Sequence, residues 1–236
     1  MIKRQAVAIL MSSFFFYLAW PPLPVAGLIM LVFVPILSIH NDVGFRRWIV
    51  AVLITLFAWN LATTFWLYNT IPFGACAVHI LNSMMFTLPF ILFWFAKKRT
   101  HLGLAYATFI FAWISLEYLH LNWELGFPFL NLGNGLSMYP QVFQWYEFTG
   151  TLGGTLWILI LNVVLTELFT TWRRKSHFAS RKVIAVVLIV FIPTLYSIVR
   201  YNTYIENSTT SSIEIISPSI DCYSEKYQMD LDWCNR

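Results

Sequence analysis

Apolar residues fill this chain in long runs, separated by short stretches that collect prolines, glycines or basic residues. About 20 consecutive apolar residues in a helix cross a bilayer core. The pattern predicts seven spans, at 5–20, 23–39, 49–69, 75–96, 102–121, 151–171 and 183–204. The first two are short, with Trp20-Pro21-Pro22-Leu23-Pro24 between them. Proline has no N–H to give to a helix, so this reads as a tight turn between two helices, with one broken helix as the alternative. Met1-Ile2-Lys3-Arg4 imitates the start of a signal peptide, but no small-x-small cleavage site follows and the apolar sequence resumes after the prolines. The segment is read as a retained anchor. The fold class is an all-α polytopic membrane protein, with a transmembrane domain at 1–204 and a tail at 205–236.

Composition and charge sharpen this picture. Of 236 residues, 58% are hydrophobic and 11% charged, whereas a soluble domain carries about 25% charged residues. A disordered chain is excluded by the same balance, and three cysteines are too few for a disulfide scaffold. The net charge of +4 is no nucleic-acid footprint, because most basic residues flank apolar runs. Lys3 and Arg4, Arg46 and Arg47, Lys97 to Arg99, and Arg173, Arg174, Lys175, Arg181 and Lys182 all fall on one side of the predicted spans. The positive-inside rule makes that side cytoplasmic, with the N-terminus inside and the acidic tail outside. In the tail, Asn207 to Ser212 is a polar linker, and Ile213-Glu214-Ile215-Ile216-Ser217-Pro218 begins like a β-strand. The tail is shorter than the roughly 40 residues below which a domain needs a staple.

Polar groups inside spans are functional candidates. Glu117 and His120 share a face of span five one turn apart, as do His79 and Asn82 in span four. Asn60, Thr63, Thr64 and Asn69 occupy the outer half of span three. The inner halves are almost purely apolar, which predicts a polar cavity open to the outside; interhelical hydrogen bonding is the alternative. Glu167 is expected to snorkel toward Arg173 and Arg174. The loop 122–149 has too much Gly and Pro for a helix and is too apolar for a solvated loop. Such backbone is tolerated at membrane depth only when buried in protein or lining a cavity. We read it as partly re-entrant, with Trp123, Tyr139, Trp145 and Tyr146 at headgroup level. Asn131, Asn134 and Glu147 are candidates to hold a lipid headgroup; a plain aromatic belt is the alternative. His40, His101 and His177 read as solvated loop residues. No metal-ligand spacing or cofactor motif is present, so no metal or cofactor is expected. Cys76 reads as a small buried hydrophobe.

The sequence from Trp113-Ile114-Ser115-Leu116-Glu117-Tyr118-Leu119 to Gly126-Phe127-Pro128-Phe129-Leu130-Asn131-Leu132-Gly133 resembles the membrane domain of apolipoprotein N-acyltransferases. That family's pattern there is Trp-x-x-x-Glu-Trp/Tyr and then Gly-Phe-Pro-Trp-Leu, so Phe129 replaces a Trp. Gln144-Trp145-Tyr146-Glu147-Phe148-Thr149-Gly150, with Gly153-Gly154, Trp157 and Asn162, is similar to the Bacteroidetes-type version. Ser217 to Lys226 resembles the opening of the family's carbon–nitrogen hydrolase domain, with three positions drifted.

The resemblance implies a bacterial inner-membrane enzyme with a periplasmic C-terminal tail. It would move an acyl chain from a phospholipid donor to a thiolate and then to the N-terminal cysteine amine of a diacylated lipoprotein. The family's Glu-Lys-Cys triad lies in the hydrolase domain beyond the opening strand, so no catalytic residue carries over to this chain. The expectation is an inactive membrane portion of such an acyltransferase, with a separately encoded hydrolase domain as a possible partner. Its lipid-cavity candidates are Glu117, His120, Trp123, Asn131, Asn134, Trp145, Tyr146 and Glu147. The alternatives are a non-catalytic lipid- or partner-binding membrane protein and a small transporter. Cys222 and Cys234 are either disulfide-bonded or free.

Overall fold

The computed structural model describes residues 2–23, 25–124, 126–174, 180–205 and 214–215. Its α-helices among these are α1 (Ile2–Ala19), α2 (Val34–Ser38), α3 (Phe45–Thr64), α4 (Pro72–Arg99), α5 (Leu102–Asn122), α6 (Tyr146–Arg173) and α7 (Ser180–Thr203). Short 3-10 turns fill the gaps at Ala26–Leu31, Phe65–Asn69, Pro128–Leu130, Leu132–Leu136 and Pro140–Val142. Five stretches are long and apolar enough to cross a membrane: Phe45–Asn69, Pro72–Arg99, Leu102–Asn122, Tyr146–Arg173 and Lys182–Thr203. The arrangement is an all-α, multi-helix membrane bundle.

Two expectations need correction. Seven spans become five by length and composition among the described residues. α1 spends its first turn on Lys3, Arg4 and Gln5. The expected span 23–39 is a 3-10 helix followed by α2, and together they reach only from Ala26 to Ser38. Nor does a β-strand occur among the described residues. Of the expected strand at 213–218 only Glu214 and Ile215 are described, and neither is in a strand; the rest of the tail lies outside the described residues. A lone strand has no partner for its edge N–H and C=O groups.

The broken segment is the centre of the bundle. Residues 32–40 are all buried, between α1 and α6 and against Trp48 of α3. Phe33, at the break, meets the rings of Phe16, Phe90, Phe109 and Trp113 at centroid distances of 5.3, 5.7, 5.8 and 4.9 Å. A continuous α-helix would join the Phe33 N–H to the Ile29 carbonyl. Instead the amide of Asn162, on α6, stands between them: its Oδ1 accepts from the Phe33 N–H at 2.8 Å and its Nδ2 donates to the Ile29 carbonyl at 3.0 Å. One buried side chain thereby replaces the backbone bond that the break removes. Pro35 near the start of α2 supplies no N–H of its own. Trp48 of α3 ties α2 down by donating from Nε1 to the Ile36 carbonyl at 2.9 Å.

Basic residues gather at one end, around the 39–44 turn. Arg173 and Arg4 reach one Asp42 oxygen at 2.7 and 3.6 Å, and Lys97 donates to Asn41. Glu167 does not turn to Arg173 or Arg174 as expected; it pairs with Lys182 at 3.3 Å and accepts from the Tyr106 hydroxyl at 3.0 Å. His40 is not solvated either. It is 2% exposed, meets Trp48 and Phe93, and donates from Nδ1 to the Leu37 carbonyl at 2.6 Å, while burial pushes its pKa down to about 4. His101 is exposed and accepts from the Leu104 N–H at the start of α5. His177 lies outside the described residues.

If Asn162 bridges the break, Asn162→Leu strands two buried backbone groups and lowers stability by roughly 2–5 kcal/mol. Asn134→Ala, which removes one half-buried bond, costs about 1 kcal/mol. Thermal unfolding of the two variants in one detergent checks the ranking.

Candidate functional site

The chain between α5 and α6 folds as three 3-10 turns. The first and third begin with Pro128 and Pro140, which need no partner for a leading N–H. The middle one, Leu132–Leu136, has no proline to start it, and its two leading N–H groups are capped from outside. The Leu132 N–H donates to Glu117 Oε1 at 2.8 Å, and the Gly133 N–H donates to Thr155 Oγ1 at 3.0 Å. The Thr155 hydroxyl in turn donates to Glu117 Oε2 at 2.5 Å, and Trp113 Nε1 donates to Oε1 at 2.9 Å. Glu117 is 0% exposed. Its carboxyl group therefore joins α5, the loop and α6 in the interior.

The loop is also fastened at its edges. Tyr146 donates its hydroxyl to the Gly133 carbonyl at 3.1 Å, and Asn134 donates to the Pro128 carbonyl at 2.9 Å. Gly133 lies so close to the Thr151 carbonyl that any Cβ there would collide with backbone. Gly150 has φ +62° and ψ −169°, a conformation open essentially to glycine alone, and it turns the chain from 146–149 into the body of α6.

A separate cavity of about 380 Å³ opens between the first half of α4 and the end of α5. Its walls are mostly apolar, from Val78, Leu81, Met85 and Phe127. Four polar residues also line it: Asn82, His120, Trp123 and Glu124. Asn82 Oδ1, His120 Nε2 and Trp123 Nε1 are buried and have no hydrogen-bond partner among the described residues. The His120 ring is held by stacking on Phe86 at 5.5 Å and by accepting from the Phe127 N–H at Nδ1, 3.4 Å away. That bond makes Nε2 the protonated nitrogen of a neutral ring.

The predicted site residues thus divide into three places. Glu117, Asn134 and Tyr146 build the loop, with Glu117 inside the protein and off the cavity wall. His120 and Trp123 line the α4–α5 cavity. Glu147 sits at the surface, accepting from Tyr196 at 2.6 Å and pairing with Arg200 at 3.2 Å, which ties the start of α6 to α7. Trp145 packs on Tyr146 and Trp157, at centroid distances of 4.8 and 6.0 Å. Asn131 is buried, and its amide has no partner among the described residues.

The other polar residues of α3 and α4 serve mainly to join those helices. Asn82 Nδ2 donates to Asn60 Oδ1 at 2.7 Å, and Thr64 Oγ1 meets His79 Nε2 at 3.0 Å. Cys76 is exposed on α4, not buried as expected; Cys222 and Cys234 lie outside the described residues. Sequence reasoning missed Thr155 and gave Asn162 no role. A lone Thr or Asn in an apolar helix carries no mark of the distant backbone it serves.

The sequence model of the apolipoprotein N-acyltransferase N-terminal domain matches residues 12–164, which include the whole loop, both walls of the cavity and the broken segment. The chain belongs to this family. It is also similar to the apolipoprotein N-acyltransferase of Chlorobaculum tepidum, 24% identical over 207 residues. That alignment covers 86% of the chain and 38% of the relative, so the chain spans well under half of the curated protein it matches. No solved structure matches the chain.

The capping arrangement makes a graded prediction. Thr155→Val leaves the Gly133 N–H and one Glu117 oxygen unpaired and costs roughly 2–4 kcal/mol, whereas Thr155→Ser keeps the hydroxyl and costs about 1 kcal/mol or less. Gly133→Ala, which meets the Thr151 backbone, is at least as damaging as Thr155→Val. Thermal unfolding in detergent micelles measures all three.

Proposed function

We propose that these residues form the membrane portion of an apolipoprotein N-acyltransferase and hold its phospholipid acyl donor at the outer leaflet. The observation that carries this reading is the α4–α5 cavity. It has an apolar body suited to an acyl chain, and at one end His120 Nε2–H and Trp123 Nε1–H can donate while Asn82 Oδ1 can accept. A phospholipid offers ester and phosphate oxygens to the two donors. A headgroup hydroxyl or ammonium group suits the acceptor. Buried polar groups without partners are costly, so such a ligand gains by satisfying them. Asn131, Asn134, Trp145 and Tyr146 shape the loop beside this site, and Glu117 positions that loop from within.

The chemistry belongs to a carbon–nitrogen hydrolase domain, either attached or separately encoded, and no residue of these 236 is assigned the nucleophile. There a thiolate attacks the ester carbonyl of the phospholipid, the C–O bond breaks, and a lysophospholipid leaves as its alcohol after taking a proton. The amine of a diacylated lipoprotein's N-terminal cysteine then attacks the thioester, forming the amide and releasing the thiol. The setting proposed is the bacterial inner membrane, with the basic end cytoplasmic and the residues after α7 periplasmic. The clustering of Arg4, Lys97, Arg173 and Lys182 at one end supports that orientation.

The test incubates the purified chain with acyl-labelled phospholipid and a diacylated peptide, with and without a separately expressed hydrolase domain of the family. The expected outcome is retention of lipid but no hydroxylamine-sensitive label on the chain alone, and label on the peptide amine only when the domain is added. His120→Leu and Trp123→Phe should each lower lipid retention and transfer together. A thioester on Cys222 or Cys234, or retention and transfer that ignore both substitutions, would overturn the proposal.

A further inference from the structure

At the opposite end of the bundle from the 123–145 loop, a groove of about 490 Å³ runs between α1, the broken 26–38 segment and α6. Its walls are apolar: Val7, Met11 and Phe15 from α1, Val34 from α2 and Phe169 from α6. Val7 and Met11 are 52% and 44% exposed, so the groove faces outward, where hydrocarbon lies in a membrane. Three cations, Lys3, Arg4 and Arg173, also line it. Arg4 and Arg173 both turn to a single Asp42 oxygen, at 3.6 and 2.7 Å. One carboxylate cannot neutralise two guanidinium groups and an ammonium group, so the mouth of the groove keeps positive charge.

The geometry points to a bound anionic phospholipid of the leaflet at the basic end, its phosphate among Lys3, Arg4 and Arg173 and one acyl chain laid along α1. Length agrees with this. From Lys3 to Phe15 the helix rises about 18 Å, close to the roughly 15 Å that half of a bilayer core provides. Charge agrees as well, because basic pockets between membrane helices on the cytoplasmic side recognise anionic headgroups. Arg173 can present two N–H groups to phosphate oxygens. The lipid would fill the flank of the short 26–38 segment, where a full-length helix would otherwise supply apolar cover. This site is separate from the acyl-donor cavity between α4 and α5 and does not depend on the reading given to that cavity.

Native mass spectrometry tests the site on the full chain, released from nanodiscs of phosphatidylcholine mixed with phosphatidylglycerol. The chain should retain phosphatidylglycerol in preference to phosphatidylcholine. The double variant Lys3→Gln/Arg4→Gln should lose that preference by on the order of tenfold. Met11→Trp, which leaves the Asp42 pairs intact, should displace either lipid by filling the groove. Lys98→Gln/Arg99→Gln, at the same end but off the groove, should retain phosphatidylglycerol as the parent does. The site is overturned if the parent shows no preference, if Met11→Trp has no effect, or if Lys98→Gln/Arg99→Gln loses as much as the groove variant, since that would be general surface attraction. A dimer mass that Met11→Trp abolishes would likewise overturn it, by assigning the groove to a second copy of the chain.

Discussion

Glu117 holds the loop between α5 and α6 from inside the protein. Irregular backbone at membrane depth has no water to satisfy it, so each N–H that leaves a helix must find a partner in the protein itself. The Leu132 and Gly133 N–H groups find Glu117 and Thr155, and the two side chains are themselves joined. The break at 29–33 meets the same constraint in the same way, with the Asn162 amide standing in for a missing backbone bond. Thr155 and Asn162 are seven residues apart, hence on one face of α6 two turns from each other. That face is a polar rail that carries both irregular segments. The segments also touch, since a Cβ at Gly135 of the loop would meet the Ile29 and Trp20 side chains.

Around this rail the bundle is polarised. At one end, arginines and lysines gather on Asp42, Asn41 and Glu167; at the other lie the aromatic loop and the α4–α5 cavity. Between them sits a core of rings, with Phe33 at the break and Trp48, Trp59 and Trp113 fully buried. The break thus places an aromatic side chain at the bundle's centre while its backbone is satisfied from α6. A buried polar network of this kind is stable only when every member is paired. Several buried side-chain atoms lack a partner among the described residues, and three of them, Asn82 Oδ1, His120 Nε2 and Trp123 Nε1, belong to residues that line one cavity, which makes them its most informative feature.

Much of this was legible in the sequence where the signal is local. The five longer apolar runs coincide with the five long helices, and the loop's excess of Gly, Pro and aromatic residues marked it as neither helix nor solvated chain. Glu117 stood out as a charge in a span. What could not be read was its partners, because Leu132 and Thr155 lie 15 and 38 residues away in the chain. Run length made 23–39 a span, since counting apolar residues does not reveal that Pro35 and Asn162 permit a break in it. His40, beside Asn41 and Asp42, read as solvated because nothing local announces that Trp48 and Phe93 enclose it.

Hydrogen–deuterium exchange at the amides of Leu132 and Gly133, compared between the parent chain and Glu117→Leu in nanodiscs, tests the central claim most directly. If Glu117 holds the loop, these amides are protected in the parent by a factor comparable to helix amides, and Glu117→Leu loses that protection while α3 and α4 keep theirs. Fast exchange at both amides in the parent chain, or equal protection with and without Glu117, would contradict it.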